Sequence, residues 1–225
     1  MSKSNVVIVC EAGVGQSESA NAPPPPAPPK LARSRGGRAI ALLIGHQIAE
    51  AAAELSRYGV EVRLADSPRH ADYDAAVYLT ELQRLLDEVD PGAVLLAQTY
   101  LGMDLAPRLA VKLKVAFASN CIELEIDTGA VRFTRPMYRG RLIAKVALDS
   151  IPLVATMQQS GAKPEQSNEP GVVTAIDASG GSDSRVRPIR KHSSRKCAGA
   201  DAARAFHPYW VIVAKKSSLV FESFI

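Results

Sequence analysis

The stretch Val94–Leu113, "VLLAQTYLGMDLAPRLAVKL", decides the fold. Its first residues form a short apolar run of the kind that fills a buried strand. The run stops at a glycine, an acid, a proline and an arginine follow, and leucines then recur at helical spacing. A strand feeding a helix through a tight turn is the repeating unit of α/β proteins, and its helix start often holds phosphate. Three residues define the expected turn. Gly102 can take positive φ at no steric cost. Asp104 can accept hydrogen bonds from the free N–H groups of a helix beginning near it. Pro107 is tolerated in a first turn, where its N–H would have no partner. A carboxylate already at that end competes with an anion for the positive end of the helix dipole. The reading is therefore a self-capped structural turn, with a phosphate cradle as the alternative.

The pattern repeats on the N-terminal side. "NVVIVC" (5–10) and "RAIALLIG" (38–45) read as buried strands. In "HQIAEAAAELSRYG", Ile48, Ala51, Ala52 and Leu55 share a helical face, and Gly59 stands where a helix stops. "VEVRLAD" (60–66) alternates as a strand does. Asp72 is placed to cap a helix striped by Tyr78, Leu82, Leu85, Leu86 and Val89. Strands alternating with amphipathic helices predict a doubly wound, mostly parallel sheet. After Lys114 the pattern changes. "VAFASNCIELEID", "AVRFTRPMY", "LIAKVAL" and "PLVATM" are short β-prone pieces that suit an antiparallel β extension. The segment 158–170 reads as a linker, and "GVVTAID" as one last strand. The expected division is a domain over 1–157 and a linker with a basic tail over 158–225.

One crossover is anomalous. Between the first two strands lies "EAGVGQSESANAPPPPAPPKLARSRGG" (11–37). Four consecutive prolines and no apolar face predict an extended loop in place of the first crossover helix, leaving one flank of the sheet under-covered. An SH3-type ligand is a second reading of such a segment.

The 225 residues are 47% hydrophobic and only 5% aromatic, so the expected core is Ala, Leu, Val and Ile. The formal charge of +4 is local: Arg185–Lys196 holds six cations, leaving −2 on the rest. That run reads as a solvated linker, with an acidic partner or nucleic acid second. Three distant cysteines with no C-x-x-C pair argue against a disulfide framework or a zinc site. No apolar run approaches a membrane span. A soluble cytoplasmic protein that contacts neither membrane nor nucleic acid is expected.

Catalytic signatures are absent from the chain. "EAGVGQSE" carries Gly13 and Gly15 but has Glu18 where a dinucleotide fingerprint needs its third glycine. No G-x-S-x-G or H-E-x-x-H occurs, and His46, His70, His192 and His207 lack nucleophilic or carboxylate company at a recognised spacing.

The quoted stretch resembles a segment of the electron transfer flavoprotein α-subunit family, through Thr99, Gly102, Asp104, Leu105, Pro107 and Arg108. A second element, "FTRPMYRG", is similar to that family's F-T-R-P-x-Y-x-G, through Phe133, Thr134, Arg135, Pro136, Tyr138 and Gly140. The similarity runs in order from about Asn5 to Met157, and thinly to about Arg187. Met103 stands where the family usually has arginine, and Arg139 where it usually has glycine. The family's FAD-binding second half finds no match, and the ending reads as an altered frame or an unrelated tail. The resemblance implies an adenine-nucleotide-alpha-hydrolase-like fold and an electron carrier subunit, not an enzyme in itself. It implies FAD in the assembled complex but none on this chain alone. It also implies an electron transfer flavoprotein β-subunit as partner, with flavin dehydrogenases reached through the complex. Thr134, Arg135, Pro136, Tyr138 and Gly140 are the candidate subunit contact; a β-turn fixed by Pro136 with Tyr138 in the core is the alternative. A stand-alone adenine-nucleotide-binding module and a non-functional truncated remnant stay open.

Overall fold

Each apolar run becomes a strand of one sheet in the computed structural model, which describes residues 4–11, 27–127, 130–158, 167 and 169–177. The strands are β1 (Val6–Glu11), β2 (Ala39–Gly45), β3 (Glu61–Asp66), β4 (Ala93–Ala97), β5 (Phe117–Cys121), β9 (Leu153–Met157) and β10 (Val173–Ala175), in the order β10-β3-β2-β1-β4-β9-β5. Every pairing among them is parallel. The central runs are continuous and not alternating because helices cover both faces. Helices α3 (Ala75–Val89) and α4 (Tyr100–Leu113) close one face, where Leu82, Leu85, Leu105 and Leu109 pack on Val7, Val9, Leu42 and Val94. On the other face α2 (Ala49–Ser56) lays Ala52 and Leu55 over Ala41, Leu43 and Val62.

The proline-rich crossover departs from expectation. An eight-residue helix, α1 (Ala27–Ser34), comes after its four consecutive prolines in the sequence. Pro28 and Pro29 fall in its first turn, where an amide hydrogen would find no intrahelical acceptor, so they start the helix and do not break it. Leu31 and Ala32 are buried against Val6 and Leu95. Two apolar side chains suffice because a second layer helps them. The strands β6 (Glu123–Asp127), β7 (Ala130–Met137) and β8 (Leu142–Ala147) form a separate antiparallel sheet, and its Val131 and Phe133 share the same cluster. The flank expected to be under-covered is covered. Pro23–Pro26 lie outside the described residues, as does the basic run 185–196.

Of the four β-prone pieces after Lys114, only the middle ones and the second half of the first make the antiparallel sheet. β5 and β9 join the central sheet in parallel. β10 lies past the boundary placed at 157 and pairs with β3 as an edge strand. Gly171 makes that docking possible, since a Cβ there would lie 1.8 Å from the Val60 carbonyl oxygen. The exit of β10 is held as well. Arg84 of α3 donates to the Asp177 carbonyl and, at 3.2 Å, to the fully buried carboxylate of Glu81. The cap of α3 is Asp74, which accepts from Ala76 N and Val77 N; Asp72, the cap expected, lies two residues before it. No side chain caps α2; Asp66, at the end of β3, instead ties the loop before it by accepting from Gln47 N (2.8 Å) and Ile48 N (3.1 Å).

Candidate functional site

The chain winds outward from β1 to β2 and β3, then returns across β1 to β4. In open α/β sheets ligands settle in the crevice beyond the carboxyl ends of the strands at this reversal. Two residues stand there. Glu11 ends β1, and Thr99 follows β4. Thr99 is the N-cap of α4: its Oγ1 accepts from Gly102 N at 3.1 Å and donates to Glu11 Oε1. One hydroxyl thus satisfies the helix start and ties a carboxylate beside it. The charge of Glu11 extends further. Burial first, then Glu11 and Asp72, push the Tyr78 phenol up to about 12. Burial and then Glu11 push the Cys10 thiol up to about 12, which leaves it protonated and unreactive at neutral pH.

The three residues assigned to the turn all sit in α4, with other roles than expected. Gly102 is helical and does not adopt positive φ. Its missing side chain matters for another reason: a Cβ there would lie 1.9 Å from the Ala97 carbonyl oxygen, so glycine lets the helix start close onto the end of β4. The helix begins at Tyr100, four residues before the expected start, and Asp104 is too far along it to cap. Asp104 instead accepts from Tyr73 Oη (2.9 Å) and Arg108 Nε (2.9 Å), which clamps the segment before α3 to α4. Burial, and then the hydrogen bond to Asp104, hold the Tyr73 phenol far above its ordinary range. Pro107 lies inside the helix and not in its first turn.

The second candidate is the β7–β8 hairpin. Phe133 is fully buried, and Thr134, paired between Glu123 and Lys145 on the opposite face, is buried too, so it is not available as a contact. Pro136 is a strand residue opposite Ile143, and Met137 is opposite Leu142. The turn carries Tyr138 (φ 50°), Arg139 (φ 58°) and Gly140 (φ 82°) in left-handed conformations. This overturns the alternative in which Pro136 makes the turn and Tyr138 enters the core, because Tyr138 is 71% exposed. Met137 (37%), Leu142 (57%) and Ile143 (57%) are exposed beside it. The sequence named Tyr138 but gave no sign of Leu142 and Ile143, because an alternating run does not show which face lacks cover.

Among the described residues no group of three His, Cys, Asp or Glu side chains is placed to hold a metal, and no helix is long and apolar enough to cross a membrane. A flavin dinucleotide needs backbone donors converging on its pyrophosphate. The helix start at the sheet reversal gives Gly102 N to Thr99 and sets the Glu11 carboxylate beside it, so these residues do not fit that group.

Sheet, helices and extension define a doubly wound α/β domain carrying a small antiparallel sheet. The sequence pattern of the electron transfer flavoprotein domain matches residues 29–180, and the chain belongs to that family. It is similar to electron transfer flavoprotein subunit alpha of Syntrophomonas wolfei, at 32% identity over 56% of this chain and 40% of the relative. The subunit alpha of Bacillus subtilis is 30% identical over 65% of this chain and 46% of that protein. The LctC subunit of a lactate dehydrogenase (NAD(+),ferredoxin) from Acetobacterium woodii is 31% identical over 66% and 37%. The chain therefore spans less than half the length of these relatives.

Proposed function

We propose that the chain supplies the scaffold domain of an electron transfer flavoprotein α-type subunit. In this reading it docks a β-subunit through the end of the β7–β8 hairpin, by way of Arg135, Tyr138 and Gly140; Thr134 is buried and, with Pro136, lies on the other face of the sheet. The flavin lies elsewhere in the assembly. FAD supplies the one- and two-electron chemistry, and flavin dehydrogenases are the donors in the cytoplasm. The observation that carries the reading is the exposed apolar side chains at the hairpin's end, Met137, Tyr138 and Leu142, within a domain of this family. Large apolar residues gathered on one surface mark contact sites.

Glu11 and Thr99 count against a stand-alone adenine-nucleotide module, because a carboxylate stands where a phosphate would approach. The test is co-expression with an electron transfer flavoprotein subunit beta, followed by size-exclusion chromatography and flavin absorbance. The expected result is a complex with the β-subunit, with no flavin on the isolated chain. No complex at any concentration would favour a remnant without electron-transfer function.

A further inference from the structure

We infer that Arg135 is the anchor of this docking surface, and that the partner meets it with a carboxylate set among apolar side chains. The inference rests on the reading of the hairpin as the subunit contact. β7 alternates, so Val131, Phe133, Arg135 and Met137 share one face. Cross-strand neighbours share a face too, which adds Ala144 opposite Arg135 and Leu142 opposite Met137. The first half of this face is core: Val131 and Phe133 pack with Leu31 and Val6. The second half runs past the core, where Met137 and Leu142 are exposed. Arg135 stands at the border between the two.

Its position is chemically incomplete. The Nε of Arg135 is buried and has no hydrogen-bond partner. Its charge does reach the core: burial raises the Cys121 thiol to about 11, and Arg135 pulls against that rise. A buried donor without an acceptor costs about 1–3 kcal/mol, and the side chain that carries it is only half-buried, so a carboxylate docking over its accessible part would draw the guanidinium into a satisfied pair. The opposite face of the hairpin differs. There Lys145 Nζ is neutralised by both carboxylate oxygens of Glu125, at 2.8 and 2.9 Å.

Charge narrows the choice of occupant. Residues 135–142, the end of the hairpin, contain Arg135, Arg139 and Arg141 and no acidic residue. A second copy meeting hairpin to hairpin would bring the same cations together across a twofold axis. An acidic surface complements them. The planar guanidinium suits a carboxylate in a two-bond fork, and Arg, Tyr and Met are residues enriched at interface centres. The occupant is therefore the second subunit, presenting an acidic side chain ringed by apolar ones.

The test titrates the full chain with the electron transfer flavoprotein subunit beta of the same genome, using wild type, Arg135→Met, Arg135→Lys and the opposite-face control Lys145→Ala. Arg135→Met should weaken binding at least about tenfold, Arg135→Lys less, and Lys145→Ala by less than about twofold. The melting temperature of the free Arg135→Met chain should stay level or rise, because the orphaned donor is gone while much of the volume remains. Better folding with worse binding separates an anchor from a merely structural residue. If Arg135→Met does not fold, Arg135→Gln takes its place. Wild-type affinity in the folded variant overturns the inference, as does a parallel loss of melting temperature and affinity. A self-dimer broken by Arg135→Met would replace the acidic partner with a second copy. No complex for wild type overturns the reading of the hairpin itself.

Discussion

Thr99 and Glu11, 88 residues apart, share one hydrogen bond at the reversal of the sheet, and the same threonine hydroxyl caps α4. A helix start needs an acceptor for its free amides, and an anion is the usual external one. Here the chain supplies the acceptor and adds a carboxylate next to it. Thr99→Val keeps the shape and removes both bonds. It should destabilise the domain by about 1–2 kcal/mol, from the lost cap and the deprived Glu11. Glu11→Gln keeps an acceptor for the hydroxyl and should cost less. Chemical denaturation of the two variants checks the order. Millimolar AMP or ATP should leave the wild-type melting temperature unchanged.

Gly102→Ala tests a sign. On an ordinary helix surface alanine gains about 1 kcal/mol over glycine. At this position the new Cβ would fall 1.9 Å from a main-chain oxygen that cannot swing away. The clash should win, with a net loss of about 1–3 kcal/mol, and Gly102→Val should lose more. Asp104→Asn keeps an acceptor for Tyr73 and weakens only the exposed pair with Arg108, so its melting shift should be smaller. A Gly102→Ala variant as stable as wild type would show that α4 does not close onto β4 this tightly.

The sequence showed the parallel sheet readily, because continuous apolar runs such as "RAIALLIG" are buried on both faces and leave little choice of element. It was less clear wherever two residues competed for one role. Thr99 and Asp104 are both good caps five positions apart, and only the close approach of Gly102 to Ala97 tells which one begins the helix. Asp72 and Asp74 pose the same choice. Pro28 and Pro29 read as breakers because a proline does not reveal whether it stands inside a helix or at its start. The direction of β5 and β9 was hidden for a different reason: strand direction is set by distant partners, not by local pattern. In the hairpin, the exposure of Leu142 and Ile143 depends on where the core ends under β7, which no local spacing records.

Alkaline pH should weaken the fold, with a defined sign. Cys10 and Cys121 ordinarily ionise at 9.0, and in the fold burial moves them to about 12 and about 11. Tyr78 moves from 10.0 to about 12, again chiefly by burial. All three are raised, so the folded chain keeps protons that the unfolded chain releases. Their contribution is complete below about pH 9 and disappears as pH climbs toward 12. Stability from urea unfolding should fall by on the order of 1–3 kcal/mol between pH 8 and pH 11. Replacing Cys10 and Cys121 by alanine should flatten the part that begins near 9. A profile that stays level to pH 11 would contradict the burial assigned to these groups.

Arg139→Gly should stabilise the isolated domain. Arg139 sits at φ 58° between two other left-handed residues, Tyr138 and Gly140. The left-handed conformation costs a residue with a Cβ roughly 1–2 kcal/mol, and glycine avoids that cost. Glycine loses more entropy on folding, by roughly 0.5–1 kcal/mol, which offsets part of the gain. The net expectation is a gain of about 0.5–1 kcal/mol, seen as a higher melting temperature. The same substitution removes one of three cations from residues 135–142. Association with a β-subunit should then slow at low salt, because exposed charges act mainly through the rate of encounter. Arg139→Ala separates the two effects. It loses the charge but keeps the Cβ, so it should slow association without raising the melting temperature. If Arg139→Ala were stabilised as much as Arg139→Gly, the strain at φ 58° would not be the cause.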